Sequence, residues 1–377
     1  MKILDRYVVA SFLKNYLISL FVLLGMYITL DMVFNFDELV QVQDRAGGTA
    51  TGLDSAILVV KAAADYYYYQ VFYIFVQLSG MIPVVAACFT MIRLSRFNEL
   101  SAIMAAGVPL LRVALPVILV GVVLNALMLA DQELLIPNII PKLVRSRQEA
   151  GQETTSKDFP IPAMQDDRYG VLNVARYRPG IMYEFTLIER DEKRALTPTR
   201  MVVASRADWD PANSQWKLTN GKTWSLLQGE ERKVETDVTT YKSVITPEEI
   251  NLYKSGNYVE MLSTARIEDL LERPQSYGAV ALQRAKHARF TQPLINIILL
   301  LLAIPCVLTR EPSKLRAAAT RCLMLVGACM GLSFLGQQMA GNPWRPEWAG
   351  HWPALMAWMP ILIFGPIAVW LLDKVET

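Results

Sequence analysis

Residues 93–116 read RLSRFNELSAIMAAGVPLLRVALP, and the fold turns on what flanks them. Residues 71–92 on one side and 110–130 on the other are apolar runs of about the 20 residues that a helix needs to cross a bilayer. Between them, Arg93, Arg96 and Glu99 recur at three-residue spacing, while Leu100, Ile103 and Met104 share another face. The spacing predicts a short amphipathic helix over about 93–107, stopped near Gly107 and held in water between two membrane spans.

Working outward, residues 12–33, 291–309, 318–339 and 353–372 are also long and apolar, which brings the expected spans to six. The composition agrees: 53% of the 377 residues are hydrophobic and the mean hydropathy is +0.27, too apolar for an ordinary soluble domain. The N-terminal run lacks a small-residue cleavage site before Asp31 and reads as a retained span.

Basic residues orient these spans. With the N-terminus inside, the inner flanks hold Lys2, Arg6, Lys14, Arg93, Arg96, Arg112, Arg310, Lys314, Arg316, Arg321 and Lys374, and the short outer loops only Arg45, Lys61 and Arg345. That is the positive-inside pattern; it puts both termini in the cytoplasm and the long central segment outside. Tyr66, Tyr67, Tyr68, Tyr69 and Tyr73, and Trp344, Trp348 and Trp352, fall at outer ends of spans, where rings anchor at headgroup level.

The central segment, residues 131–285, changes period. Alternating stretches at 170–175, 181–189, 200–207, 215–218, 223–227 and 233–241 are separated by Arg178-Pro179-Gly180, Asp210-Pro211-Ala212-Asn213 and Asn220-Gly221. Short strands with tight turns predict an antiparallel sandwich or jelly roll, with Val203 facing inward. The expected order is therefore spans 1–3 in residues 1–130, an all-β insertion in 131–285, and spans 4–6 in 286–377. Cys88, Cys306, Cys322 and Cys329 all lie in apolar runs, so the insertion must hold together by its own core.

Catalytic motifs fail on inspection. Gly221-Lys222-Thr223 matches the end of a phosphate-binding loop, but Trp216 stands where the first glycine belongs. Gly331-Leu332-Ser333-Phe334-Leu335 misses the last glycine of a nucleophile elbow and lies in a span. The only histidines are His287 and His351, with no metal-binding pair of any usual spacing. No bound cofactor is expected, and the dispersed charge gives no nucleic-acid face. Gly327, Gly331 and Gly336 give span 5 a small face for helix packing, within the chain or against a partner.

Asn98-Glu99-Leu100 followed by Ala106-Gly107 resembles the coupling segment of the LptF/LptG permease family. Leu4-Asp5-Arg6-Tyr7, Phe36-Asp37-Glu38-Leu39, Arg289-Phe290-Thr291-Gln292-Pro293, Gly331-Leu332-Ser333-Phe334 and Trp358-Met359-Pro360 extend the resemblance in the same order along nearly the whole chain. The first two lean toward the LptG branch.

What the resemblance implies is a six-span inner-membrane permease with a periplasmic jelly roll, paired with a second LptF-like or LptG-like permease on an LptB-like ATPase dimer, which binds the ATP. Lipopolysaccharide would leave the outer leaflet for LptC-like and LptA-like bridge proteins. Glu99 would then enter the ATPase groove, with Arg93, Arg96, Leu100 and Gly107 around it.

Some LptG-like members carry a lysine near the outer end of span 1, where this chain has Asn35 among Asp31, Asp37 and Glu38. Asp31, Asn35, Arg45, Lys61 and Arg289 are thus the candidates along a substrate path. A permease for a different envelope lipid and a non-transporting envelope scaffold remain the alternatives.

Overall fold

The computed structural model describes residues 3–35, 53–143, 158–166, 170–191, 197–225, 234–243, 245–247, 250, 258–272, 279–308, 315–341, 348 and 350–374. Among the described residues, five helical stretches are each long and apolar enough to cross a membrane, and a bent pair supplies a sixth. The first is α1, Ile3–Phe34. The bent pair is α2, Leu53–Leu78, and α3, Met81–Arg96. After a short α4, Glu99–Ala105, comes α5, Leu110–Ala130, which runs through a π-turn, Asp131–Leu135, into α6, Ile136–Leu143. Beyond the strands, α7, Tyr258–Met261, and α8, Thr264–Glu272, lead into α9, Ala279–Val307, α10, Leu315–Ala340, and α11, Trp352–Asp373.

The central helix is α9, which packs on α3, α5, α10 and α11. Over half of its apolar window is buried, against 6% for α1 and 17% for α10, so those two helices leave wide apolar faces uncovered. Of the small residues on α10, Gly336 is pressed against α11, where an added Cβ would lie 2.8 Å from the Met356 carbonyl oxygen. Gly327 and Gly331 face open space. The small face therefore serves packing within the chain at one end only.

Span 2 is not the continuous helix expected over 71–92. It bends by 67° between Leu78 and Met81. Pro83 has no N–H to offer the Ser79 carbonyl, so the hydrogen-bond ladder lapses there. Gly80 then packs so tightly on α9 that a Cβ would stand 2.7 Å from Asn296 Oδ1. The π-turn after α5 has a similar origin: Pro137 cannot donate to the Glu133 carbonyl, and the Ile136 N–H reaches back to Asp131 instead.

Among the described residues, eight antiparallel strands form one sheet between α6 and α7: β1 Phe159–Gln165, β2 Val171–Arg178, β3 Ile181–Asp191, β4 Thr197–Asp210, β5 Gln215–Thr219, β6 Lys222–Ser225, β7 Val234–Asp237 and β8 Thr240–Tyr241. Each expected alternating stretch contains or overlaps a strand. Pro179-Gly180 makes the β2–β3 turn, with Gly180 at φ +80°, the conformation that the second corner of such a turn demands.

Two expectations about the strands are corrected. Asn220-Gly221 is no hairpin, because β5 and β6 pair with β4 in a single register, Arg206 opposite Thr219 and Val203 opposite Lys222. The dipeptide is a kink in one long strand. Gly221 is required there because a Cβ would collide with the Val238 carbonyl. Val203 does not face inward: Val202 and Ala204 do, in a core with Tyr177, Phe185, Leu187 and Trp216.

Candidate functional site

The turn between α3 and α5 is built from three local devices. Asn98 takes a left-handed conformation, φ 57°, which asparagine tolerates better than most residues, and this corner turns the chain out of α3. Leu100, 1% exposed, anchors α4 in the helical core, with Ile103 and Met104 packed beside it. Gly107, at φ +78°, ends the helix: its N–H donates to the Met104 carbonyl, and the Val108 N–H to that of Ile103. This paired closure satisfies carbonyls that a helix end leaves open.

The single helix expected over 93–107 is therefore two helices joined at Phe97-Asn98. Arg93 and Arg96 close α3, exposed, and complement the negative end of its dipole. Glu99 opens α4, half-buried rather than fully exposed. Its Oε2 accepts a 2.7 Å hydrogen bond from the Tyr7 hydroxyl, so the Leu4–Tyr7 motif of span 1 touches the Asn98–Leu100 motif directly.

At the other end of the bundle, the proposed path residues fall into separate environments. Asp31 Oδ2 accepts from the Tyr67 hydroxyl at 2.7 Å, and the Asn35 amide donates to Asp31 Oδ1 and to its carbonyl. Asp31 and Asn35 thus lie together where α1 meets α2. Lys61 is exposed on α2, and Arg45 lies outside the described residues.

Arg289 lies apart from Asp31 and Asn35, in a network of its own. Only 5% exposed, it pairs with Glu133 at 2.5 Å and also donates to the Glu260 and Leu262 carbonyls. Glu133 in turn accepts from the Thr264 backbone N–H at 2.9 Å and from its hydroxyl at 2.6 Å. With its guanidinium committed this way, Arg289 ties α9 to the π-turn and to the α7–α8 junction, and is not presented as a free cation.

The tyrosine run also does more than anchor at an interface. Only Tyr68 projects strongly, 66% exposed. Tyr67 docks on α1, Lys142 of α6 donates to the Tyr69 hydroxyl at 2.7 Å, and Tyr73 donates to Glu260 of α7 at 3.0 Å. Sequence reasoning passed over Glu133 and read Tyr67 and Tyr73 as interfacial anchors alone, because the partners of all three are distant in the chain.

A cavity of about 430 Å³ opens among α2, the π-turn, α7, α9 and α10, with Gly80 at its edge. Beneath it, Asn296 donates to Ser79 Oγ at 3.1 Å and to Asn125 Oδ1 at 3.2 Å, while the Asn125 amide donates to the Pro293 carbonyl. This network supplies polar partners beside the break in span 2 and beside Pro293 within α9.

Comparison with curated proteins gives no match. A family model does match, over residues 6–374, which takes in the turn with Glu99, the β insertion and every span described here. By that match the chain belongs to the lipopolysaccharide export system permease LptF/LptG family, a membrane component of a transporter.

Proposed function

We propose that the chain is one of two permeases that lift lipopolysaccharide out of the inner membrane, powered by a separate ATPase that docks on the turn around Glu99. The observation that carries this reading is the Glu99 carboxylate, held by Tyr7 at the head of a short helix anchored by Leu100. A rigid, charged knob between two spans suits a partner's groove, and a force on it passes into α1, α3 and α5 together. Arg93, Arg96 and Glu99 offer charges of both signs for that contact.

Orientation follows from charge. Arg93, Arg96, Arg112 and Lys374 lie at the end away from the sheet, so the positive-inside rule assigns that end and both termini to the cytoplasm, and the β domain to the periplasm. The apolar faces of α1 and α10 suit a second permease and the lipid between the two. In this reading the β domain passes the lipid on to a periplasmic bridge. ATP is bound by the partner, and the chain itself needs no cofactor.

The test is affinity purification of the tagged chain in mild detergent, with mass spectrometry of the proteins and lipids it retains. An ATPase, a second permease and lipopolysaccharide are expected. Recovery of the ATPase with another lipid would move the substrate to a different envelope lipid, and absence of any ATPase would overturn the reading.

A further inference from the structure

We propose that the cavity among α2, the π-turn, α7, α9 and α10 recognises the uncharged, hydroxyl-rich saccharide part of the exported lipid, in preference to its phosphates. The inference rests on the export reading above and specifies which chemistry this pocket takes.

Size comes first. At about 430 Å³, the cavity falls within the roughly 300–1,000 Å³ typical of small-molecule sites. It is bordered by Gly80, at the break in span 2, and irregular backbone inside a membrane protein is tolerated where it is buried or lines a cavity.

The lining then narrows the ligand. Gln77, Gln132, Gln292, Asn296, Gln337 and Gln338 contribute carboxamides from four different stretches of chain. A carboxamide both donates and accepts hydrogen bonds, as a sugar hydroxyl does, whereas a phosphate only accepts and is best met by cations. The two arginines at the cavity are already neutralised, Arg284 by Glu260 at 3.2 Å and Arg289 by Glu133 at 2.5 Å. Among the described residues, the lining therefore offers no uncompensated positive charge.

Unused hydrogen-bonding capacity marks where a ligand would bind. The Gln132 Oε1 atom is buried without a partner among the described residues. The side-chain amides of Gln337 and Gln338 make no hydrogen bond among the described residues, although both sit on an otherwise apolar span. The buried Gln132 oxygen is costly unless something meets it, and the half-buried Gln337 and exposed Gln338 amides are open to a ligand at the mouth of the cavity. Ile295, Leu299 and Met330 make part of the lining apolar, so an amphiphile can leave hydrocarbon on them while its polar part meets the amides.

The experiment uses the full chain in the assembly it co-purifies with, placed in lipid nanodiscs and titrated with lipopolysaccharide and with the same lipid stripped of phosphate by a phosphatase. Gln77 and Gln338 are exposed, so Gln77→Leu combined with Gln338→Leu should fold as the parent does, which the melting temperature checks. The double variant should bind both lipids about tenfold more weakly, as expected for losing one or two hydrogen bonds to a ligand.

Unchanged binding by the variant, alongside normal binding by the parent, would overturn the pocket while leaving the export reading standing. Loss of parental binding on phosphate removal would also overturn it, in favour of phosphate recognition. If the parent assembly binds neither lipid, the export reading itself falls and the pocket assignment with it.

Discussion

The Tyr7 hydroxyl and the Glu99 carboxylate, 92 residues apart in the chain, meet at 2.7 Å and join span 1 to the turn between spans 2 and 3. Glu99 is thus both a charge offered to a partner and a strut to α1. Glu99→Ala should leave the melting temperature nearly unchanged, since an exposed hydrogen bond of this kind contributes about 1 kcal/mol, yet it should abolish lipid-stimulated ATP hydrolysis by the assembly. Tyr7→Phe, which keeps the carboxylate and removes only its support, should retain part of that activity. Full activity in Glu99→Ala would remove the coupling role.

The Arg289–Glu133 pair predicts a different phenotype. Removing the buried Arg289 leaves the Glu133 carboxylate, itself one-third exposed, without its cation, at a cost of up to about 3 kcal/mol. Arg289→Met should therefore lower the melting temperature and speed hydrogen exchange across Val259–Ile267, which leans on the same carboxylate. Adding Glu133→Leu should recover much of the loss, because no charge is then left alone. A double variant as unstable as the two singles combined would show that the residues act independently.

The bend in span 2 depends on Gly80. A methyl group there would press into Asn296 Oδ1, so Gly80→Ala must displace the polar network beneath the cavity, at about 1–3 kcal/mol. Thermal unfolding of the variant in detergent checks this. Stability equal to the parent would mean that the close approach to α9 is not maintained in the folded protein.

Acid should act on the β4–β5 turn. The Lys217 ammonium and the Asn213 amide hold the Asp210 carboxyl down at about 2, against an ordinary 3.8. A carboxyl with a lowered folded value adds stability above its unfolded value and loses it as the pH falls through the folded one. The advantage of the parent over Asp210→Asn in denaturant unfolding should therefore be full at pH 6 and vanish between about pH 3.8 and 2. An advantage that persists at pH 2 would point to the turn geometry and not to the ion pair with Lys217.

Legibility in the sequence followed the range of each interaction. Spans, strands and the Gly107 stop are local: an apolar run of 20 residues, an alternation of period two, or a glycine after a helical face is complete within its own segment. Where local chemistry was ambiguous, the reading slipped. Asn220-Gly221 is a usual hairpin pair, yet here it kinks a strand because Val238 approaches so closely. Phe159–Gln165 escaped notice because Pro160 and Pro162 break the strand pattern, and at the sheet edge, where β1 pairs with β2 alone, prolines cost little.

What the sequence determined by itself, then, was the membrane architecture, the β insertion and the family resemblance, since hydrophobic burial and backbone hydrogen bonding impose their periods on every stretch they shape. Tertiary structure alone decided that Glu99 leans on Tyr7, that Arg289 is a buried clasp, that span 2 breaks over Asn296, and that six amides converge on one cavity. The hydrogen bonds among those outcomes join side chains as much as 217 residues apart. No local pattern encodes them, because each depends on which helix faces are brought together when the bundle closes.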